Sequence, residues 1–216
     1  MQDIIKVTGM VLKAEPIGEY GKRIVLLTKE TGKISAFARG ARRPNNRFLA
    51  ATSPFCFGEF DLYAGRQAYN LQGVRIDQYF EQLRTDFEKA CYGFYFLEIA
   101  DYYGRENNDD RELLKLLYQS LRALIHPAYD ARLVRAVYEI KAITVNGEFP
   151  GLLPDISPDS DCGYAISYIV TSSIEKLYSF RLSEEVLGQL ISCADEYRSR
   201  CISQKFKSLE ILESSG

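Results

Sequence analysis

Near residue 80 the spacing of apolar side chains changes, and that change limits the chain to an architecture of strands first and helices after. Upstream, Ile5, Val7, Gly9 and Val11 alternate with Lys6, Thr8, Met10 and Leu12, the two-residue period of a half-buried strand. A charged, Gly-rich loop is expected over 15–22. Arg23–Thr28 is a β-branched apolar run, and Gly32 supplies the positive φ of a hairpin turn within Lys29–Lys33. Ile34–Ala38 reads as a third strand. After a long loop, Phe55–Tyr63 and Ala68–Ile76 read as the fourth and fifth, with Gly58 at a bulge and Gly65-Arg66 at the turn. Five strands in roughly 75 residues suit a small closed barrel of the OB-fold kind.

Downstream, Phe80, Leu83, Phe87, Ala90, Phe94, Leu97 and Asp101 fall three and four apart, which predicts a helix ending near Gly104. Thr85 and Glu88 have capping-box spacing. Asp109 and Glu112 open a second helix that buries Leu113, Leu116, Leu117, Leu121 and Leu124 and ends before Pro127. A third is expected from Asp130 to Asn146-Gly147, with further helices over Tyr164–Tyr178 and Ser183–Cys201. Pro150, Pro154 and Pro158 make 148–161 a connection. The expected fold is therefore α+β, an N-terminal OB-fold barrel over 1–80 followed by an all-helical domain over 81–216.

The charge divides at the same place. Residues 1–80 hold twelve Lys and Arg against seven Asp and Glu, whereas the rest holds fifteen against twenty-two. Such asymmetry points to a polyanion-binding half. Its focus is Arg39-Gly40-Ala41-Arg42-Arg43-Pro44-Asn45-Asn46-Arg47, four arginines and no acid in the loop after the third strand. The planar guanidinium fork matches phosphate, so Arg39, Arg42, Arg43 and Arg47, extended by Lys22 and Arg23, form the candidate nucleic-acid contact. The alternative is a loop that only solubilises the chain. Phe55, Phe57, Phe60, Tyr63 and Tyr69 are either barrel core or platforms for bases, and strand alternation favours the core for most of them. In the acidic half, Arg122, Arg132 and Arg135 are candidates for an acidic partner. The last two flank Leu133 on one helix face, the alternative being paired surface charges.

Enzyme chemistry has little to stand on. A single histidine, His126, rules out His-rich metal sites, and neither a GxxxxGK[ST] loop nor a helix-opening GxGxxG occurs. The five cysteines are odd in number and scattered, as in a reduced, cytosolic protein, and Cys162-Gly163 lacks the ligand spacing of a zinc site. Cys193 and Cys201 are eight apart, too far for one compact ligand pair. No catalytic residues, metal or cofactor are expected. No apolar run reaches the ~18 residues of a membrane helix, and MQDIIKVTGM has no signal-peptide core, so a cytoplasmic protein with no membrane partner is expected.

Gly18-Glu19, Ile24-Val25, Thr28, Glu30, Gly32-Lys33 and Ala38-Arg39-Gly40-Ala41-Arg42-Arg43 together resemble the N-terminal signature of the bacterial RecO family of DNA repair proteins. Asn146-Gly147 and Phe206-Lys207-Ser208-Leu209 extend the resemblance more loosely. It implies an OB-fold and a helical domain. It also implies a recombination mediator of the RecF pathway, associated with the nucleoid, that binds single- and double-stranded DNA and anneals DNA strands. The implied partners are RecR, the acidic C-terminal tail of single-strand-binding protein and, indirectly, RecA. Many such relatives carry a four-cysteine zinc module. Here only Cys162-Gly163 remains of it, within a degenerate region near 148–163. The competing class is an OB-fold adaptor for protein partners without significant DNA affinity.

Overall fold

A computed structural model describes residues 4–65 and 68–214. The chain divides into two compact units, 1–82 with 100–114, and 83–99 with 115–216. The first unit therefore takes, besides the basic strands, a later segment that the period change alone does not assign.

Five strands close a barrel in the order β1 (Ile4–Ile17), β2 (Gly21–Thr28), β3 (Gly32–Ala38), β5 (Tyr69–Gln78), β4 (Phe57–Ala64), with the short helix α1 (Phe48–Ala51) between β3 and β4. This is the expected OB-fold. β1 is longer than the alternation suggests. The expected loop over 15–22 shrinks to Gly18, Glu19 and Tyr20, because Glu15, Pro16 and Ile17 continue in register with Arg23, Lys22 and Gly21. The same strand pairs with β4 through Ile4–Met10 and with β2 through Gly9–Ile17, and a bulge between Val11 and Lys13 lets it serve both. Val7 and Val11 face the core before the bulge and Ala14 after it, so Lys13 and Glu15 point outward. Gly58 is at an irregularity of β4, as expected. Phe55 lies before that strand, buried, with a left-handed φ of 73°. Arg66, expected at the β4–β5 turn, lies outside the described residues.

Gly32 opens β3 with φ 66°, and any side chain there would also collide with the backbone: a Cβ would lie 2.2 Å from the Arg105 carbonyl oxygen. The contact belongs to a backbone seam in which Lys33 N–H donates to that carbonyl at 2.9 Å and Asn107 N–H to the Thr31 carbonyl at 3.0 Å.

The second unit is helical: most of α2 (Phe87–Tyr103) and α3 (Arg111–Ile125), then α4 (Ala131–Val145), α5 (Asp161–Thr171), α6 (Glu184–Cys201) and α7 (Lys207–Ser214). Two expectations are corrected. The helix predicted from Phe80 begins at Phe87, after a 3-10 turn over Glu81–Arg84, and the Asp86 carboxylate accepts the Lys89 N–H. Its predicted apolar stripe is only partly the buried face: Phe80, Leu83 and Leu97 are buried, but Phe87 is 61% exposed and Phe94 41%, while Tyr95, Phe96 and Ile99 are buried outside the stripe. α2 is apolar nearly all round, so spacing alone does not say which side is covered. Phe96 stacks on Tyr138 of α4 at 4.3 Å between ring centroids, and Tyr95 packs edge-on against Phe206 at 5.4 Å. The helix expected over Tyr164–Tyr178 stops at Thr171, where the buried Lys141 ammonium donates to the Val170 and Ser172 carbonyls at 2.9 and 2.7 Å. The short α7 has no counterpart in the sequence reading.

Replacing Gly32 with Ala is expected to destabilise the protein by ~2 kcal/mol or more, from the left-handed strain and the displaced Arg105 carbonyl together. Urea denaturation measures this, and a loss below about 0.5 kcal/mol contradicts the seam.

Candidate nucleic-acid interface

The arginine-rich loop is fixed at both ends by what lies between its charges. Ala41 is fully buried against the barrel core, and Gly40 and Asn45 turn the chain with φ of 68° and 60°. Arg43 N–H donates to the Gly40 carbonyl and Arg42 N–H to the Tyr20 carbonyl, each at 2.9 Å. The Asn46 side chain accepts the Phe48 N–H at 2.8 Å, a local turn just ahead of α1. The backbone is thus tied to the β1–β2 turn while the arginine side chains stay exposed.

The structure brings some of the predicted cations together and separates others. Lys22, Arg39 and Arg43 line one groove of about 460 Å³ with Tyr20, Phe37 and Asn70. The Arg43 guanidinium carbon lies 5.0 Å from the centre of the Tyr20 ring, which orients the charge without neutralising it. The Lys22 ammonium donates to the Leu49 carbonyl at 3.0 Å. Arg42 and Arg47 turn elsewhere: Arg42 reaches toward the Glu19 carbonyl, whereas Arg47 covers the Phe48 ring and donates to the Gln72 carbonyl. Arg23 lies opposite Phe37 in the β2–β3 ladder and lines a neighbouring groove of about 530 Å³ with Lys13, Lys33 and Tyr69.

Tyr20 and Phe37 are the aromatic walls that the sequence reading missed. The signal for Phe37 was present, since Lys33, Ser35 and Phe37 alternate with the core residues Ile34, Ala36 and Ala38. Of the aromatics considered as base platforms, Phe55 and Phe60 are buried, Phe57 and Tyr63 half-buried, and Tyr69 walls the second groove.

In that second groove Asp101, in the last turn of α2, takes Lys13 at 2.6 Å and Lys33 at 3.2 Å. Burial raises its carboxyl, but the two ammonium groups outweigh burial and leave it below its ordinary value.

In the helical unit, Arg122 is exposed near the end of α3. Arg132 pairs with Asp130 and Glu184, each at 2.7 Å. Arg135 is only 11% exposed, bonded to the fully buried Glu139 at 3.0 Å and to Asp195. Burial works against the charge of Arg135, and Glu139 and Asp195 overcome it. Leu133 is itself buried. An acidic tail expected there would meet a buried Leu133 and two guanidinium groups already paired with carboxylates. Folding also brings the Cys162 and Cys193 thiols to 4.0 Å, and burial pushes Cys193 up to about 12. No group of three or more His, Cys, Asp or Glu is placed to hold a metal ion among the described residues.

Residues 1–80 match the family described as recombination protein O N terminal, and residues 84–163 match recombination protein O C terminal. The chain belongs to the RecO family. It is 28% identical over 239 residues to the DNA repair protein RecO of Clostridium novyi (strain NT), covering 96% of this chain and 93% of that one. It is 27% identical over 241 residues to that of Acetivibrio thermocellus, covering 97% and 96%. A shorter match to the DNA repair protein RecO of Symbiobacterium thermophilum reaches 36% over 149 residues, 69% of this chain and 59% of that one. The RecO N-terminal match spans the barrel strands and the first groove, and the C-terminal match spans Asp101, Arg105 and Glu106 of the second groove and α4 with its Arg135–Glu139 pair.

In this RecO chain the two arginines of α4 differ in worth. Arg135→Ala takes from the buried Glu139 carboxylate its nearer cation, leaving Tyr95 and Arg198, and is expected to cost ~3 kcal/mol. Arg132→Ala, at an exposed pair, is expected to cost no more than ~1 kcal/mol. Chemical denaturation of the two variants side by side checks the contrast, and equal losses refute it.

Proposed function

We propose that this chain is a non-enzymatic mediator of recombinational repair that captures DNA phosphates on its barrel. Its helical unit, in this reading, engages the other proteins of the pathway. The observation that carries the reading is the groove in which Lys22, Arg39 and Arg43 stand beside Tyr20 and Phe37. Cations that track a backbone and aromatic faces that accept any base are together what sequence-tolerant binding of a single strand needs. The groove sits against the β1–β2 turn and β3, part of the surface with which OB-folds bind oligonucleotides. Annealing follows from the same chemistry: two strands repel through their phosphates, and a surface that neutralises both lets complementary bases meet. Membership of the RecO family supports the DNA repair setting. RecR and single-strand-binding protein as partners, and RecA loading as the outcome, belong to this proposal by way of the family.

Titration of a labelled oligothymidylate at two salt concentrations, with strand annealing measured alongside, tests it. Arg39→Glu/Arg43→Glu is expected to weaken binding about tenfold or more and to shrink the log–log salt slope by ~1.4, or ~0.7 for each lost phosphate contact. Stability should change by only ~0.5 kcal/mol, since both side chains are exposed. Unchanged binding and annealing in a variant with normal melting would leave an OB-fold that serves protein partners only.

A further inference from the structure

The second groove of the barrel has the parts of a phosphate site and an occupant supplied by the chain itself. Lys13 of β1 and Lys33 of β3 approach from either side of β2 on the outer face and converge on the two oxygens of one carboxylate, Asp101, at 2.6 and 3.2 Å. Lys33 also donates to the Asp101 main-chain carbonyl. Two ammonium groups closing on one small anion is the arrangement that would hold two oxygens of a phosphate group. The carboxylate is 19% exposed, against 46% for Lys13, so the groove is open on the lysine side.

The groove neighbours the arginine-lined one. Across the sheet, Arg23 is paired with Phe37 and Phe37 with Asn70, and in the next row Ala36 is paired with Tyr69. Phe37 and Asn70 wall the first groove, Arg23 and Tyr69 the second. One extended strand of nucleic acid laid from Arg39 and Arg43 across Phe37 therefore arrives at Arg23 and Tyr69, with Lys13 and Lys33 next. Glu15 and Glu106 also line the second groove, so its net charge is low while Asp101 is in place.

We propose that Lys13 and Lys33 form a second phosphate subsite of the same single-strand path, and that Asp101 occupies it as an internal anion that restrains DNA affinity. The proposal rests on the DNA-binding reading above. Asp101 is held in position by more than its ion pairs. Gly104, three residues on, packs so tightly that a Cβ there would lie 3.1 Å from Leu27 and 3.2 Å from Lys33, and the Arg105 carbonyl is bonded to Lys33 N–H. Removing the charge at position 101 thus leaves the helix end and the strands that carry both lysines where they are.

The test is a double-mutant cycle on the full chain, read by titrating a labelled oligothymidylate between ~50 and ~200 mM salt. Asp101→Asn is expected to tighten binding roughly fivefold or more at the lower salt and to steepen the log–log salt slope by up to ~1.4, for two recruited phosphates. Lys13→Ala/Lys33→Ala is expected to change wild-type affinity less than about twofold, yet to abolish the gain when combined with Asp101→Asn. Wild-type affinity in Asp101→Asn, or a gain that survives loss of both lysines, overturns the subsite. Should Asp101→Asn fold poorly, the lysine pair decides in the native background, because a large loss of affinity there means that Asp101 does not restrain them. The Arg39→Glu/Arg43→Glu variant separates the two readings: if it weakens binding while Asp101→Asn changes nothing, only the subsite fails. If the wild-type chain does not bind the oligonucleotide, both fail.

Discussion

Everything in the barrel depends on β1 being bent. One 14-residue strand must form ladders with β4 along its first half and β2 along its second, and a straight strand cannot lie in both directions. The bulge between Val11 and Lys13 provides the bend, and Gly9 permits the close approach there, since a Cβ would lie 2.5 Å from the Leu27 carbonyl oxygen. A bulge also inverts the side-chain alternation downstream of it. Without it Lys13 would point into the core beside Val11. With it Lys13 and Glu15 join Arg23 and Lys33 on the outer face, so one extra residue both closes the barrel and builds part of its charged surface.

That surface is basic but not uniformly available. The arginine loop is held by its uncharged residues, Gly40, Ala41, Asn45 and Asn46, through turns, burial and one side-chain-to-backbone hydrogen bond. Its guanidinium groups are therefore placed without being neutralised. The lysines of the second groove are placed differently, by an acidic helix end that belongs to the same compact unit as the barrel. A carboxylate fixed by backbone contacts competes with phosphate at a high local concentration, and salt screens it less than an exposed charge because it is mostly buried. The barrel unit thus carries both a basic face and an internal acid set against part of it.

In the helical unit, charge has a structural role. Glu139 is fully buried with one oxygen taken by Tyr95, and Arg135 and Arg198 stand against it. Burial raises the Glu139 carboxyl, while these partners act in the opposite direction. A cluster of this kind specifies how α4 and α6 meet, because any shift of one helix leaves a buried charge without its partner. The same demand withdraws Arg135 from solvent.

The sequence by itself determined the change from strand to helix near residue 80, the barrel class and the concentration of positive charge in one loop. Each of these depends on local pattern: side-chain period, turn residues and counts of charge. The helix limits at Pro127, Asn146-Gly147 and Ser183 were legible for the same reason, since caps and breakers act within a few residues. Only the tertiary structure decided which arginines share a groove, that Phe37 and Tyr20 wall it, that Phe87 and Phe94 are the exposed side of α2, and that Arg132 and Arg135 face carboxylates. It alone showed Asp101 between Lys13 and Lys33, 88 and 68 residues away in the chain. Local pattern states what a side chain is and which way its strand or helix can turn it. What lies opposite is fixed by ladders and packing between distant segments, and no window of sequence contains both partners.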